Sequence, residues 1–384
     1  MDAWAWLERR VRRGDALGPG VHRSHDRLRG EPVVLKEARA PRAIAALRRE
    51  VAEASRGHPA LRRVIGFAHE ADRAALALEH VEGVELTAHL SRAPEDALTL
   101  ARQLLSLLVH LHHHDLVHGD LKPANVLVER TAGGPRARVI DLGLATRIGA
   151  PLEGGTPGFL APEALRGAPA SVASDLYALG QTLARAVRAP PPALAALIDA
   201  CTASAPDARP ASADGALARI GALPLPLDRE GVLPRQGDDA PLGALRAAAA
   251  ARDGHSVVVY AAPHGGRTRL CADAVRDAMR AARPIADVRF AGGADPLGAL
   301  AAVLEVPPLE PLRRAAMTGA RAAELGLVVT VDDADHAGPA AREALVTFAR
   351  ALAERRCGAL AVVGADAALG AALVAVGAHA LTLA

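Results

Sequence analysis

Only two lysines, Lys36 and Lys122, and one asparagine, Asn125, occur in this chain; its other 43 basic residues are arginine. Arginine's broad planar fork does not replace lysine's compact, flexible point charge. A chain that writes arginine almost everywhere has therefore kept lysine at two places for chemistry, not for surface solvation. Asp120, Lys122 and Asn125 fall together in the segment Leu116-Val117-His118-Gly119-Asp120-Leu121-Lys122-Pro123-Ala124-Asn125-Val126-Leu127-Val128, and Asp141 follows a little further on. Phosphoryl transfer asks for a carboxylate to orient a hydroxyl and take its proton. It also asks for a cation near the terminal phosphate and for oxygen ligands to Mg²⁺. Those side-chain types are gathered here.

The elements that must hold these residues read as follows. Val33–Glu37 is a short β-branched strand carrying Lys36, and Ala40–Ser55 has helical apolar spacing through Ile44, Leu47 and Val51. Ala75–Glu79 is a second short strand. Residues 95–114 form an amphipathic helix with Leu100, Leu104, Leu108 and Leu111 on one stripe. The apolar runs Asn125–Val128 and Arg138–Ile140 flank the turn Ala132-Gly133-Gly134-Pro135. Helical pattern then dominates from Ser174 to Leu223. Residues 223–251 are rich in Pro, Gly, Asp and Ala and read as a linker. Beyond it, the continuous apolar runs Ser256–Ala261, Leu327–Val331 and Ala359–Val363 alternate with helical pattern, which predicts a parallel sheet covered on both faces.

Composition bounds the rest. At 384 residues there is room for two or three cores. A net charge of +2 with no long basic run argues against nucleic acid. Cys201, Cys271 and Cys357 are far apart with no CxxC pair, as expected in a reducing cytosol. No stretch reaches 18 uncharged apolar residues, so no membrane span is expected, and the cytoplasm is the predicted compartment. Trp4 and Trp6 are expected to dock the N-terminal segment onto the first domain. The run His112-His113-His114 is a poor chelate, because consecutive helical residues point in different directions.

The segment around Asp120 resembles the catalytic loop of eukaryotic-like bacterial serine/threonine protein kinases. The likeness continues in order along residues 14–222. Val33-Val34-Leu35-Lys36 is similar to the strand whose lysine holds the α- and β-phosphates, with Glu50 as its ion-pair partner on the next helix. Val139-Ile140-Asp141-Leu142-Gly143 is similar to the metal-binding segment. Gly154-Gly155-Thr156-Pro157-Gly158-Phe159-Leu160-Ala161-Pro162-Glu163 resembles the end of an activation segment, Ser174–Gly180 the helix whose aspartate braces the loop, and Asp207–Pro210 the arginine that pairs with Glu163. The resemblance implies a two-lobed α+β kinase fold, with an N-lobe at about 14–80 and a C-lobe at about 81–222. It implies Asp120 as catalytic base and Lys122 beside the γ-phosphate. It implies Asn125 and Asp141 as Mg²⁺ ligands, and Gly18, Gly20, Lys36, Glu50, Glu79 and Val81 around ATP. A protein serine or threonine is the implied substrate, with Thr156 bonding Asp120 and shaping its site.

The chain departs from that pattern in places. Arg23 stands at the third position of the glycine loop Leu17-Gly18-Pro19-Gly20-Val21-His22-Arg23, His25 where valine covers adenine, and Val34 where alanine is usual. Gly119 replaces the arginine that grips an activation-loop phosphate, so activity is expected not to depend strongly on loop phosphorylation. A helix that often docks substrates is expected to be short or missing before Pro190.

Ser256–Tyr260 followed by Ala261-Ala262-Pro263-His264-Gly265-Gly266-Arg267-Thr268-Arg269-Leu270 resembles a strand, P-loop and helix, and Leu327–His336 the matching acidic strand end. Residues 252–384 are thus expected to be an α/β parallel-sheet, P-loop NTPase-like domain of the kind fused behind bacterial kinases. Arg267 takes the lysine position, which favours a module for binding a partner protein over one for hydrolysis. Two other readings stay open: a pseudokinase scaffold that binds nucleotide without turnover, and a small-molecule phosphotransferase, since His118-Gly119-Asp120 also occurs in those.

Overall fold

The computed structural model describes residues 3–54, 58–222, 255–261, 284–290, 295–355 and 359–383, with 243 and 247 as isolated positions. In chain order its elements begin with α1 (Ala3–Arg10), β1 (Val11–Arg12), β2 (Ala16–Gly18), β3 (Val21–Asp26), β4 (Glu31–Ala38), α2 (Pro41–Ala54), β5 (Val64–His69) and β6 (Ala74–Glu79). Next come β7 (Val84–Glu85), α3 (Leu86–Leu90), α4 (Ala97–His113), β8 (Leu116–Val117), β9 (Val126–Thr131), β10 (Gly134–Val139), β11 (Thr146–Arg147), α5 (Pro162–Leu165), α6 (Val172–Ala186), α7 (Pro192–Cys201) and α8 (Ala213–Arg219). The last group is β12 (His255–Ala261), β13 (Ile285–Arg289), α9 (Pro296–Val303), α10 (Pro311–Glu324), β14 (Val328–Asp332), α11 (Pro339–Glu354), β15 (Ala359–Val363), α12 (Ala367–Ala375) and β16 (His379–Leu383). The contacts divide the chain into two compact units: residues 1–39, 65–78 and 235–384 in one, residues 40–64 and 79–234 in the other.

The first unit holds two sheets. The smaller runs β1-β3-β4-β6-β5, with β2 paired to β3. β3 and β4 are antiparallel, with Val21 opposite Lys36, Arg23 opposite Val34 and His25 opposite Pro32. Facing pairs share a sheet face, so these six residues line one side, while Ser24 and Asp26 turn inward and are buried. The larger sheet is wholly parallel, in the order β13-β14-β15-β12-β16. Its buried strands are the continuous apolar runs expected of a parallel sheet.

α1 belongs to both cores of this unit. Trp4, Leu7 and Val11 pack with Val33, Leu35 and Ile65 of the smaller sheet. Trp6 lies instead in the core of the larger one, and its indole Nε1 donates to the Ile285 carbonyl at 3.0 Å. The expectation that both tryptophans dock on the first domain holds for Trp4; the alternation along one helix sends Trp6 elsewhere. Arg10, 1 % exposed, donates to Asp26 Oδ2 at 2.8 Å, to Asp287 Oδ1 at 3.2 Å and to the carbonyls of Ile65 and Ile285. The carbonyl and carboxylate partners on β13 lie on an edge strand, whose unpaired backbone groups must be covered.

The second unit is mainly helical. α4 buries Leu100, Leu104, Leu107, Leu108 and Leu111, each contributing roughly 1.5–3 kcal/mol. β9 and β10 form an antiparallel hairpin, from Val126 opposite Val139 to Thr131 opposite Gly134. The turn therefore falls at Ala132-Gly133, inside the predicted segment. The connection from the end of α6 at Ala186 to the start of α7 at Pro192 contains no helix. Among the described residues no helix is long and apolar enough to cross a membrane. Of the P-loop-like segment Ala261–Leu270, all but Ala261 lies outside the described residues, as do Arg267, Cys271, Cys357 and nearly all of the 223–251 linker.

Candidate active site

β8 delivers the chain to His118, Gly119 and Asp120, and α6 braces this turn. A reciprocal cap starts α6: Ser171 Oγ accepts from Ser174 N at 3.1 Å, and Ser174 Oγ accepts from Ser171 N at 3.0 Å. Asp175 follows, fully buried, and its carboxylate accepts the amides of His118 at 2.7 Å and Gly119 at 3.1 Å. His112 Nε2 lies 3.1 Å from the same carboxylate. Burial pushes the Asp175 pKa up, but bonding from His112 and the field of His118 prevail and hold it below the ordinary carboxylate value. His118 is pushed down by burial. Its Nδ1 accepts the Asp120 amide at 3.2 Å. Gly119 has φ +77°, and a Cβ there would lie 2.7 Å from the Leu144 carbonyl oxygen. The backbone path thus excludes the arginine seen at this point of the related pattern.

Asp120 is the hub. Its Oδ1 accepts Thr156 N at 2.9 Å and the Thr156 hydroxyl at 2.7 Å; its Oδ2 accepts Lys122 Nζ at 2.7 Å. Lys122 also donates to Thr156 Oγ1 at 2.6 Å. The expected Thr156–Asp120 bond is therefore present, and Lys122 closes a triangle around it. Asn125 Nδ2 donates to the Asp120 carbonyl at 2.9 Å and reaches Asp120 Oδ2 at 3.3 Å. Spending the amide nitrogen inward turns the amide oxygen the other way. The Ile140 amide donates to the Asn125 carbonyl at 2.9 Å, so the residue before Asp141 is tied to Asn125. Asp141 Oδ1 accepts the Gly143 amide at 3.0 Å. Asn125, just before β9, and Asp141, just after β10, bring one amide oxygen and one carboxylate, hard oxygen donors of the kind Mg²⁺ prefers.

In the other unit, Lys36 lies on β4 beside the turn between β2 and β3. Gly20 there has φ +66°, and a Cβ on it would meet the Glu37 carbonyl oxygen at 2.6 Å. The Glu37 amide donates to Gly20 O at 2.7 Å. The turn holding Gly18 and Gly20 is pinned next to Lys36, and only glycine fits at position 20. Val34 and Arg23 share the Lys36 face, as does His25.

Glu50, on α2, is 3 % exposed, and its Oε1 lies 3.7 Å from Arg62 Nη2. The same Arg62 nitrogen donates to the Ile140 carbonyl. Glu79, at the end of β6, accepts Arg138 Nη2 at 2.6 Å and the Arg63 amide at 3.1 Å. Burial raises its pKa, and Arg138 with the Arg63 amide more than offsets this and holds it low. Val81 is buried just beyond. Arg62 and Arg138 are the residues that sequence reasoning missed. Their one signal is charge inside apolar runs, Leu61-Arg62-Arg63-Val64 and Ala137-Arg138-Val139. Farther on, Arg209 grips Glu163 through two bonds of 2.6 and 2.9 Å, as expected, and stacks on Tyr177.

The acidic strand end of the larger sheet is arranged differently. Arg289 on β13 donates to Asp332 Oδ2 at 2.7 Å and lies 3.3 Å from Asp333 Oδ2. Asp333 has φ +54°.

Residues 18–205 match the Protein kinase domain family. The chain is 38 % identical over 137 residues to serine/threonine-protein kinase pkn2 of Myxococcus xanthus, covering 32 % of this chain and 16 % of that protein. It is 33 % identical over 147 residues to serine/threonine-protein kinase PrkC of Bacillus subtilis, covering 35 % and 22 %. Over 145 residues it is 33 % identical to serine/threonine-protein kinase PkaA of Streptomyces coelicolor, covering 35 % and 27 %. The chain spans less than a third of the length of each of these curated relatives. With this likeness beside the Asp120 hub and its Asp175 brace, residues 18–205 are a protein kinase domain.

Proposed function

We propose that this chain transfers the γ-phosphoryl group of Mg-ATP to serine or threonine hydroxyls of a protein in bacterial signalling. The observation that carries this reading is the Asp120–Lys122–Thr156 triangle. It aims a carboxylate and a cation at one point and builds the wall beside them from a threonine hydroxyl. Asp120 orients the acceptor hydroxyl and takes its proton, and Lys122 faces the charge that builds on the transferred group. Asn125 and Asp141 are the residues that would hold Mg²⁺, and the ion would supply positive charge to offset that of the phosphates. By the resemblance, Lys36 would take the α- and β-phosphates, with Glu50 as the ion-pair partner the pattern implies. The Gly18–Gly20 turn covers them, and Glu79 and Val81 border the base. The parts are a kinase domain at 14–222, a linker at 223–251 and a third segment at 252–384.

For the third segment we infer a P-loop-like module that binds a partner protein in preference to hydrolysing nucleotide. β12 lies inside the parallel sheet, between β15 and β16, and the chain winds away on both sides of it. That is a switch point, where ligands meet the carboxyl ends of strands. Arg289 sits on Asp332, which a hydrolase of this pattern would give to a metal, and on Asp333, which would orient water.

Incubation of the full chain with radiolabelled ATP, Mg²⁺ and a generic protein acceptor tests the main reading. Label on serine or threonine that disappears in Asp120→Ala and Lys36→Ala supports it. Tight ATP binding without transfer would leave a nucleotide-binding scaffold, and transfer to small hydroxylated metabolites alone would point to the small-molecule class.

A further inference from the structure

Arg62 is a guanidinium in a place that does not favour one. It stands at the root of β5 and is 6 % exposed. Burial lowers its pKa, while Glu50 and Asp141 pull it back up. A buried charge persists only where its partners compensate the lost hydration. Its two close partners are informative. Nη2 reaches Glu50 Oε1, on α2, at 3.7 Å and donates to the carbonyl of Ile140, the residue immediately before Asp141. The backbone nearby is knitted as well. Leu61 bridges Val139, the Val139 amide donates to Ala60 O at 2.7 Å, and the Ile140 amide donates to Asn125 O at 2.9 Å. Arg62 thus ties α2 and the Asp141 strand end to one charge, with Asn125 one backbone bond away.

We propose that Arg62 is a positioning residue for phosphoryl transfer, registering the Glu50 helix against the Asp141 segment without help from a phosphate on the activation segment. The inference rests on the kinase reading above and goes beyond it. Three observations support the second clause. Gly119 leaves no side chain to grip a phosphate, and its backbone excludes one. Of the two hydroxyl residues between Asp141 and Glu163, Thr156 is engaged by Asp120 and Lys122, and Thr146 sits in a short strand opposite Val117. Next to Glu50, α2 is also held by charge already present. Arg49 donates to Glu153 Oε2 at 2.9 Å and to the Gly143 carbonyl at 3.4 Å, so a carboxylate stands where a phosphate could act. That pair is exposed and contributes little alone. Arg62 is the buried tie.

The test uses the full chain with Arg62→Met, Arg62→Lys and the parent, each before and after treatment with a nonspecific protein phosphatase. Methionine keeps the length and apolar bulk and removes the charge. The expected result is a fall in kcat of at least about 30-fold in Arg62→Met with KM for ATP within about threefold. Arg62→Lys should recover part of kcat, and phosphatase should leave the parent unchanged. A merely structural role would lower the melting temperature without this split between kcat and KM. A kcat within twofold of the parent in folded Arg62→Met overturns the proposal, and so does loss of activity on phosphatase treatment. Amide exchange separates this inference from the kinase reading, because it needs no turnover. Arg62→Met should speed exchange at Ile140 and Asp141 by at least about tenfold. If the parent shows no transfer, the kinase reading fails while the exchange result still decides for or against Arg62.

Discussion

Acidic residues close β-strand segments in both units of this molecule, and the two ends are treated in opposite ways. At the end of β14, Asp332 is buried and Asp333 partly so, and the Arg289 side chain lies across both. In the kinase domain, Asp141 follows β10 and is set by the Gly143 amide, while Asp120 shares Lys122 with a threonine hydroxyl. An acidic pair at a strand end is therefore not a catalytic site by itself. At the first end an exposed guanidinium lies over both carboxylates. A lysine that divides its bonds between a carboxylate and a hydroxyl leaves an arrangement that a substrate hydroxyl and a phosphate can enter. The arginine-rich composition makes this contrast visible, since lysine stands beside Asp120 and arginine lies over Asp332.

The comparison can be tested first where the effect is largest. Asp141→Asn removes a hard anionic donor while keeping shape, and phosphotransfer should fall by at least about 10³-fold, measured as initial rates at saturating ATP and several Mg²⁺ concentrations. A modest loss restored by high Mg²⁺ would mean that another group holds the metal.

The buried Arg10–Asp26 pair in the other unit should serve stability. Arg10→Met leaves Asp26 buried without its partner and should cost roughly 3–5 kcal/mol, read from urea unfolding. Replacing Arg10, Asp26 and Asp287 together with apolar residues of similar volume should recover much of that loss. If the single change costs nothing, Arg10 does not hold α1 in place.

Acid should weaken the kinase domain through His58. Burial lowers its pKa to about 4, and its Nδ1 accepts the Ala60 amide. Between about 4 and the unfolded value near 6.5, the unfolded chain binds the proton and the folded one does not. Stability therefore falls as pH drops through that window, by about 3 kcal/mol in all. His118, also lowered by burial, adds to the loss in the same direction. Urea midpoints from pH 7 to pH 4 should show a shallower slope in His58→Gln than in the parent; identical slopes would remove His58 from the account.

The smallest effect is expected at Arg289. Its side chain is 48 % exposed, so Arg289→Gln should change unfolding stability by less than about 1 kcal/mol. A larger loss would show that the pair with Asp332 organises the sheet.

Much of the kinase domain was legible because its parts are short, ordered segments with one residue type per task. The Thr156–Asp120, Asp175–loop and Arg209–Glu163 contacts are those that the resemblance of these segments to the kinase pattern implied. The helices α2 and α4 and the hairpin β9–β10 followed from periodicity and turn chemistry. What stayed hidden depends on distant pairing. Arg10 meets Asp287 across 277 positions, and nothing near Arg10 in sequence announces a buried partner. Trp4 and Trp6 sit two residues apart yet enter different cores. Arg62 and Arg138 stand out in the sequence only as charges inside apolar runs, and the fold turns them inward. The parallel sheet was visible as apolar runs, but its strand order and the Arg289 fork over Asp332 and Asp333 were not.

The most direct measurement compares two carboxylates in one assay. Full-length Asp120→Ala and Asp332→Asn are incubated beside the parent with radiolabelled Mg-ATP and a protein acceptor, and label on serine and threonine is counted. The account predicts loss of transfer in Asp120→Ala and a rate within about twofold of the parent in Asp332→Asn. Transfer that survives Asp120→Ala and is lost in Asp332→Asn would contradict it.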